Sequence, residues 1–233
     1  MENNNIVIIG ASSSIGNSII SKFRSPSTRI IASYYSNNDI NPEDNILALE
    51  LDLKKEQSID IFIREVHSIT SHIDTVIFLA GILPGKNLQE YDQADIEIVM
   101  TINFTGQAKV IKGILPLLDS DSQIIMISSI SAQRGSYDPI YAASKGAILS
   151  FVKSLAAGLG GVRVNAIAPG LIEDSTMYKE MSPDRQELHR QQTSHKTLLQ
   201  MSDLADVIYD ISKNHWKHLN GACIDLNGGQ YVR

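Results

Sequence analysis

The sequence holds a single cysteine, Cys223, among its 233 residues. A lone thiol cannot close an intrachain disulfide, so the chain is not a disulfide-stapled scaffold. Its neighbours Gly221, Ala222 and Ile224 are small or apolar, which predicts a buried strand residue rather than a nucleophile. Positive charge is also scarce: 20 Lys and Arg stand against 26 Asp and Glu, a net charge of −6. Such a chain has no general attraction for nucleic acid or an anionic lipid surface, and neither is expected as a partner. No apolar run is long enough to cross a bilayer. The opening Met1-Glu2-Asn3-Asn4-Asn5 has neither the basic residues nor the apolar stretch of a signal peptide. A reducing, cytoplasmic setting is the expectation. What is present is ordinary for a globular protein: 43% hydrophobic residues can supply a core for one large domain or two small ones. No internal repeat, low-complexity tract or linker divides the chain, so residues 1–233 are read as one domain.

Short β-branched runs alternate with longer amphipathic stretches. Residues 6–9, 29–33, 46–51, 75–79, 123–128, 163–167 and 222–226 read as strands. Several are apolar almost throughout, as a sheet covered on both faces demands, so the sheet should be parallel. Helical patterns fill residues 14–23, 56–70, 92–115, 140–159 and 202–212. The fold class is therefore α/β: a doubly wound parallel sheet with helices on both faces. The polar segment 173–201 breaks the alternation and reads as a substrate-binding lid or a surface loop.

After the first strand comes Gly10-Ala11-Ser12-Ser13-Ser14-Ile15-Gly16, opening a helix. Glycine permits a tight turn, small side chains let backbone amides approach a pyrophosphate, and a helix N-terminus favours its charge. A serine-rich helix cap would give the same pattern. Tyr141 and Lys145, four apart on a helix, share one face, and an ammonium beside a phenol should favour the phenolate. An amphipathic surface pair has the same spacing. The strand 123–128 leads into Ser129, where a hydroxyl can bind a substrate oxygen as charge develops on it. Asn103 lies in an apolar helical stretch, where an amide needs a partner, be it a functional group, a water or a kinked backbone. His215 and His218 beside Trp216 lack a third ligand and read as surface residues, and no metal site is expected. His189 and His195 lie in the 173–201 segment and read as solvated.

Together these motifs resemble the classical short-chain dehydrogenase/reductases, from Ile6 to Gly229. Gly10 to Gly16 resembles the family's cofactor turn, Asp52 its adenine-side aspartate, and Leu79-Ala80-Gly81 the end of its Asn-Asn-Ala-Gly motif. Arg163 to Gly170 resembles the strand and turn beside the nicotinamide, and Asn227-Gly228-Gly229 the C-terminal Asp-Gly-Gly. The resemblance implies a Rossmann-type fold, a catalytic tetrad of Asn103, Ser129, Tyr141 and Lys145, and hydride transfer between a nicotinamide and a ketone or alcohol. Tyr141 would be the acid in reduction, Ser129 would position the carbonyl, Lys145 would bind the ribose, and Asn103 would hold a relay water. Implied cofactor contacts are Gly10, Ser12, Ser13, Ser14, Ile15, Gly16, Asp52, Leu53, Ala80, Gly81, Tyr141, Lys145, Pro169, Gly170 and Ile172. The family layout also implies a small-molecule or thioester-linked carbonyl substrate and a homotetramer or homodimer.

Departures from the family pattern fall mostly at the cofactor. Ile9 stands for a threonine, Ser14 for the middle glycine, and Phe78 and Leu79 for two asparagines. Asp174 aligns with a phosphate-facing threonine, which a one-residue insertion would restore as Ser175 or Thr176. The end of the second strand, Ser33 to Asn38, offers no acid to repel a 2′-phosphate and no Arg or Lys to bind one. NADP(H) is therefore favoured over NAD(H). The altered turn leaves a second reading, a non-catalytic NAD(P)-binding regulator on the same fold.

Overall fold

A computed structural model describes residues 4–41 and 43–232; Met1 to Asn3, read above for a leader, lie outside them. Among the described residues seven strands form one sheet: β1 (Asn4–Ile9), β2 (Thr28–Tyr34), β3 (Ile46–Glu50), β4 (Thr75–Phe78), β5 (Gln123–Ile127), β6 (Arg163–Pro169) and β7 (Cys223–Leu226). Their order is β3-β2-β1-β4-β5-β6-β7, and every neighbouring pair is parallel. The helices are α1 (Ser14–Phe23), α2 (Glu56–Ile69), α3 (Gln93–Met100), α4 (Gly106–Ile114), α5 (Ser131–Arg134), α6 (Pro139–Gly158), α7 (Thr176–Lys179), α8 (Pro183–Gln192) and α9 (Met201–Ile211).

The period of two along each strand explains the continuous apolar runs. In β1, Val7 and Ile9 join Phe62 of α2, Ile111 of α4 and Ile148 of α6 in one core. Ile6 and Ile8 face the other way, onto Ile19 and Phe23 of α1 and Leu204 and Ile208 of α9. Both faces are thus dry, and the strands cannot alternate with polar residues. Strand order reverses between β1 and β4, which opens a crevice at their carboxyl ends.

Two elements differ from the sequence reading. The helix expected over 92–115 is interrupted by a π-helical turn at Thr101–Thr105, where Gly106 N–H bonds Thr101 O. Its cause is the buried Gln107 amide, which donates to Ile102 O at 3.1 Å and to Ala80 O at 2.8 Å, entering the helix ladder. The 173–201 segment is not irregular: it carries α7 and α8, the latter with Pro183 in its first turn. Glu173 latches its base, accepting from Arg190 Nη2 at 3.1 Å and Gln200 Nε2 at 2.6 Å. Cys223 is on a strand as expected but only half-buried, because β7 is the sheet edge.

Candidate active site

The turn after β1 is held by β2: Ser33 Oγ accepts from Gly10 N at 2.9 Å, and Ser33 O from Ala11 N at 2.8 Å. Gly10 has φ of 83°, and a Cβ there would come within 2.8 Å of the Ala80 backbone. Glycine is therefore required by both conformation and space. Gly16 sits so tightly that a Cβ would meet Ala11 O at 2.1 Å, which packs α1 onto the turn. Ser13 caps α1, its Oγ accepting from Gly16 N at 3.1 Å, and no acid occupies the helix's first turn. Ser14 is exposed, and among the described residues the positive-φ residues other than glycine are Asp174 and Lys196, so its Cβ strains nothing. Serine at the family's middle-glycine position is a helical residue here.

Beside this turn lies a cleft of about 230 Å3 lined by Gly10, Ser12, Ser33, Tyr34, Tyr35, Asp52, Leu53, Lys54, Ala80 and Gly81 among others. Asp52 is buried, and its Oδ2 has no hydrogen-bond partner, although the Lys55 ammonium stands 3.5 Å away. A bare-backbone turn, an acid-free helix N-terminus and an unsatisfied carboxylate oxygen fit a dinucleotide whose adenine amino group would meet Asp52 and whose pyrophosphate would meet the turn. Pro169, Gly170 and Ile172 lie at the end of β6 rather than in this cleft. Pro169 O accepts from Ile130 N at 3.0 Å, which brings them beside Ser129. Asp174 is exposed at φ of 60°, while Ser175 turns inward, its Oγ donating to Ile172 O at 2.7 Å.

The four tetrad positions converge at the crevice. Tyr141 and Lys145, on α6, are 5% and 3% exposed. Lys145 Nζ donates to Ile127 O at 2.8 Å, and Ser128 Oγ donates to Lys145 O at 2.8 Å, fastening α6 to the end of β5. The next residue, Ser129, is buried beside the Tyr141 phenol, near enough to act on its ionisation. Gly81 leaves room for these groups: a Cβ there would stand 3.1 Å from Lys145 Nζ and 3.3 Å from Asn103 Oδ1. Asn103, in the π turn, accepts from Ile82 N at 2.8 Å and donates to Ile82 O and Ser144 Oγ at 2.9 Å each. Both of its amide hydrogens are thereby committed to the protein.

Burial pushes the Tyr141 phenol above its ordinary value; the Ser129 hydrogen bond opposes this and the Asp138 charge adds to it. Burial alone brings Lys145 down to about 8. The phenolate expected from the Tyr141 and Lys145 spacing is thus not the favoured form here. Desolvation disfavours the charged state of both groups, and the ammonium yields its charge more readily than the phenol its proton.

The sequence reading missed two residues. Lys54 follows β3, not β2, yet its Nζ reaches Tyr35 Oη at 3.2 Å and lies 5.1 Å from that ring's centre. A cation therefore stands at the end of β2 that the local sequence does not contain; the signal was its place two residues after Asp52. Asp138, the N-cap of α6, is 1% exposed. His189, read as solvated, is half-buried, and its Nδ1 has no hydrogen-bond partner. His215 Nε2 stands 3.7 Å from Asp210 Oδ1. No group of three or more His, Cys, Asp or Glu among the described residues is placed to hold a metal ion, and no helix there is long and apolar enough to cross a membrane.

An all-parallel sheet with a glycine turn at its switch point, and a buried Ser, Tyr and Lys group beside it, belongs to the dinucleotide-binding oxidoreductases of Rossmann type. A family model described as Enoyl-(Acyl carrier protein) reductase matches residues 10–230. The chain is 26% identical to the 3-oxoacyl-[acyl-carrier-protein] reductase FabG of Aquifex aeolicus, covering 97% of this chain and 96% of that protein. It is 26% identical to the uncharacterized oxidoreductase YmfI of Bacillus subtilis over 97% of this chain and 98% of that one. A solved short-chain dehydrogenase/reductase of the glucose/ribitol dehydrogenase type from Brucella melitensis superposes with a TM-score of 0.93 at 28% identity, over 100% of this chain and 98% of that one. The chain belongs to the short-chain dehydrogenase/reductase family and is an oxidoreductase dependent on a nicotinamide dinucleotide.

Proposed function

We propose that the protein is an NADPH-dependent ketoreductase whose proton donor is Tyr141, acting on a carbonyl substrate of the 3-oxoacyl thioester class. The observation that carries this reading is the burial of Ser129, Tyr141 and Lys145 together at the end of β5, where Lys145 Nζ donates to Ile127 O beside the bare backbone of Gly81. The bound nicotinamide supplies the hydride. Ser129 donates a hydrogen bond to the carbonyl oxygen and holds it against the phenol. Tyr141, kept protonated by burial, gives its proton to that oxygen as negative charge grows there. Lys145 binds the cofactor's ribose and, when charged, stabilises the phenolate left behind. Asn103 braces Ile82 and Ser144 around this group. The 173–201 segment closes over the substrate, and the active form is a homotetramer or homodimer.

Support for NADP(H) comes from Lys54 and Tyr35 at the cleft, with no acid at the end of β2. Support for a thioester substrate comes from the 3-oxoacyl relatives alone. The regulator reading rested on the altered glycine turn and loses that support, because Ser14 occupies the turn without strain. The test is NADPH and NADH oxidation by the purified protein across free ketones and 3-oxoacyl thioesters. The expected result is a kcat/KM at least about tenfold higher with NADPH, a preference that Lys54→Glu reverses. A preference for NADH in the wild type, or no carbonyl turnover with either cofactor, overturns the reading.

A further inference from the structure

Asp138 is a buried carboxylate surrounded by donors. Its Oδ1 accepts from Tyr141 N at 2.9 Å and Tyr91 Oη at 2.8 Å, and its Oδ2 from Gly85 N at 3.0 Å, Lys86 N at 3.3 Å and Tyr91 Oη at 2.9 Å. The segment 82–91, which leaves the end of β4, is thus tied to the first turn of α6 through one side chain. Gly85 makes this possible: at φ of 71° it turns successive N–H groups toward the same oxygen. Further ties run alongside. Asn87 Nδ2 donates to Tyr137 Oη at 2.9 Å, and Asn103 holds Ile82 by both its backbone groups. As a helix cap alone, an aspartate needs one or two donors from its own helix. Here most donors come from a segment some fifty positions away in sequence, one that begins at the cofactor cleft with Ile82.

We propose that Asp138 is a positioning residue for the reaction: its carboxylate fixes the 82–91 segment to the N-terminus of α6 and, through the Tyr141 backbone N–H, sets where the phenol stands. This inference rests on Tyr141 being the proton donor. The charge has a second effect at the same distance of one helical turn, since it favours the protonated phenol. The charged and titratable groups around the pair are few. Lys145 faces Tyr141 from α6. Tyr91 bonds the Asp138 carboxylate, and the Lys86 ammonium is occupied by Asp95 of α3 and lies 5.9 Å from the Tyr91 ring centre. No salt bridge neutralises Asp138 among the described residues, and its charge acts on Tyr141.

Asp138→Asn tests this, because asparagine still caps a helix but presents an amide donor to the 85–86 backbone N–H groups. The expected result is NADPH binding within twofold of wild type, kcat for reduction lowered about tenfold or more, and a basic limb of the kcat profile moved to lower pH. The sign follows from the charge: removing it lowers the phenol's pKa, so the proton donor is lost at lower pH. Tyr91→Phe keeps the charge and removes one tie, so KM for the carbonyl rises a few-fold while the limb stays in place. A 13C-tyrosine NMR titration, with the Tyr141 signal assigned by its loss in Tyr141→Phe, reads the same shift without any turnover. If the titration moves but no carbonyl is reduced, the ketoreductase reading fails and the Asp138 coupling stands. If Asp138→Asn lowers only the melting temperature, with kcat and the Tyr141 titration unchanged, Asp138 is a helix cap and nothing more.

Discussion

Lys145→Met should make the cofactor-free protein more stable at neutral pH and less stable in alkali. The lysine is 3% exposed, and burial brings it from 10.5 to about 8. A folded-state pKa below the unfolded one means that the unfolded chain binds the proton more tightly. The wild type therefore carries a full penalty below pH 8, gains stability as pH rises between about 8 and 10.5, and carries none above. That gap corresponds to about 3 kcal/mol at neutral pH. Against it stands the hydrogen bond from Nζ to Ile127 O at 2.8 Å, whose loss costs about 1–2 kcal/mol because the carbonyl is left unpaired. The variant should thus gain about 1–2 kcal/mol at pH 7, or about 2–8 °C in melting temperature for a chain of this size. Near pH 10.5 the sign should reverse, leaving the variant about 1 kcal/mol less stable. Urea unfolding of both proteins across pH 6–10.5 measures the difference. A difference that does not change with pH, or a variant less stable at pH 7, would refute the claim that desolvation of Lys145 dominates the site.

Gly81→Ala places a Cβ within 3.1 Å of Lys145 Nζ and 3.3 Å of Asn103 Oδ1, so kcat should fall about tenfold with a stability loss near 1 kcal/mol. Steady-state rates and thermal melts check both; an unchanged kcat argues against a tight seat for Lys145. Ser129→Ala removes the group expected on the substrate oxygen and the hydrogen bond that lowers the phenol's pKa, so kcat should drop about 100-fold or more while NADPH affinity holds. Equal losses in kcat and in cofactor affinity would instead make Ser129 a structural residue.

Much of the fold was legible because burial on both faces leaves a plain mark in the sequence. Ile6 to Ile9 and Ile124 to Ile127 cannot be mistaken for half-exposed strands, since Val7 and Ile8 sit in different cores on opposite faces of the sheet. The break in the 92–115 helix was not legible. It depends on Gln107 reaching Ala80 across the fold, a contact that no periodicity records. The helix α8 was missed although Ser182 and Pro183 are a start signal, because its residues are polar on every side and give no apolar period. At the site, Tyr141, Lys145 and Ser129 were readable from spacing and order, whereas the direction of the Tyr141 shift was not. It turns on how deeply both side chains are buried. Lys54 escaped for a related reason: charge at the end of β2 is supplied by the strand beside it, and pairing of β2 with β3 is a tertiary fact.

The central claim, that Tyr141 donates the proton, is tested most directly by single-turnover reduction of a carbonyl substrate by Tyr141→Phe with saturating NADPH, alongside fluorescence titration of cofactor binding. The account predicts NADPH affinity within about twofold of wild type and a reduction rate lower by about 1,000-fold. A phenylalanine variant that binds NADPH and still reduces the carbonyl at a rate near wild type would contradict it.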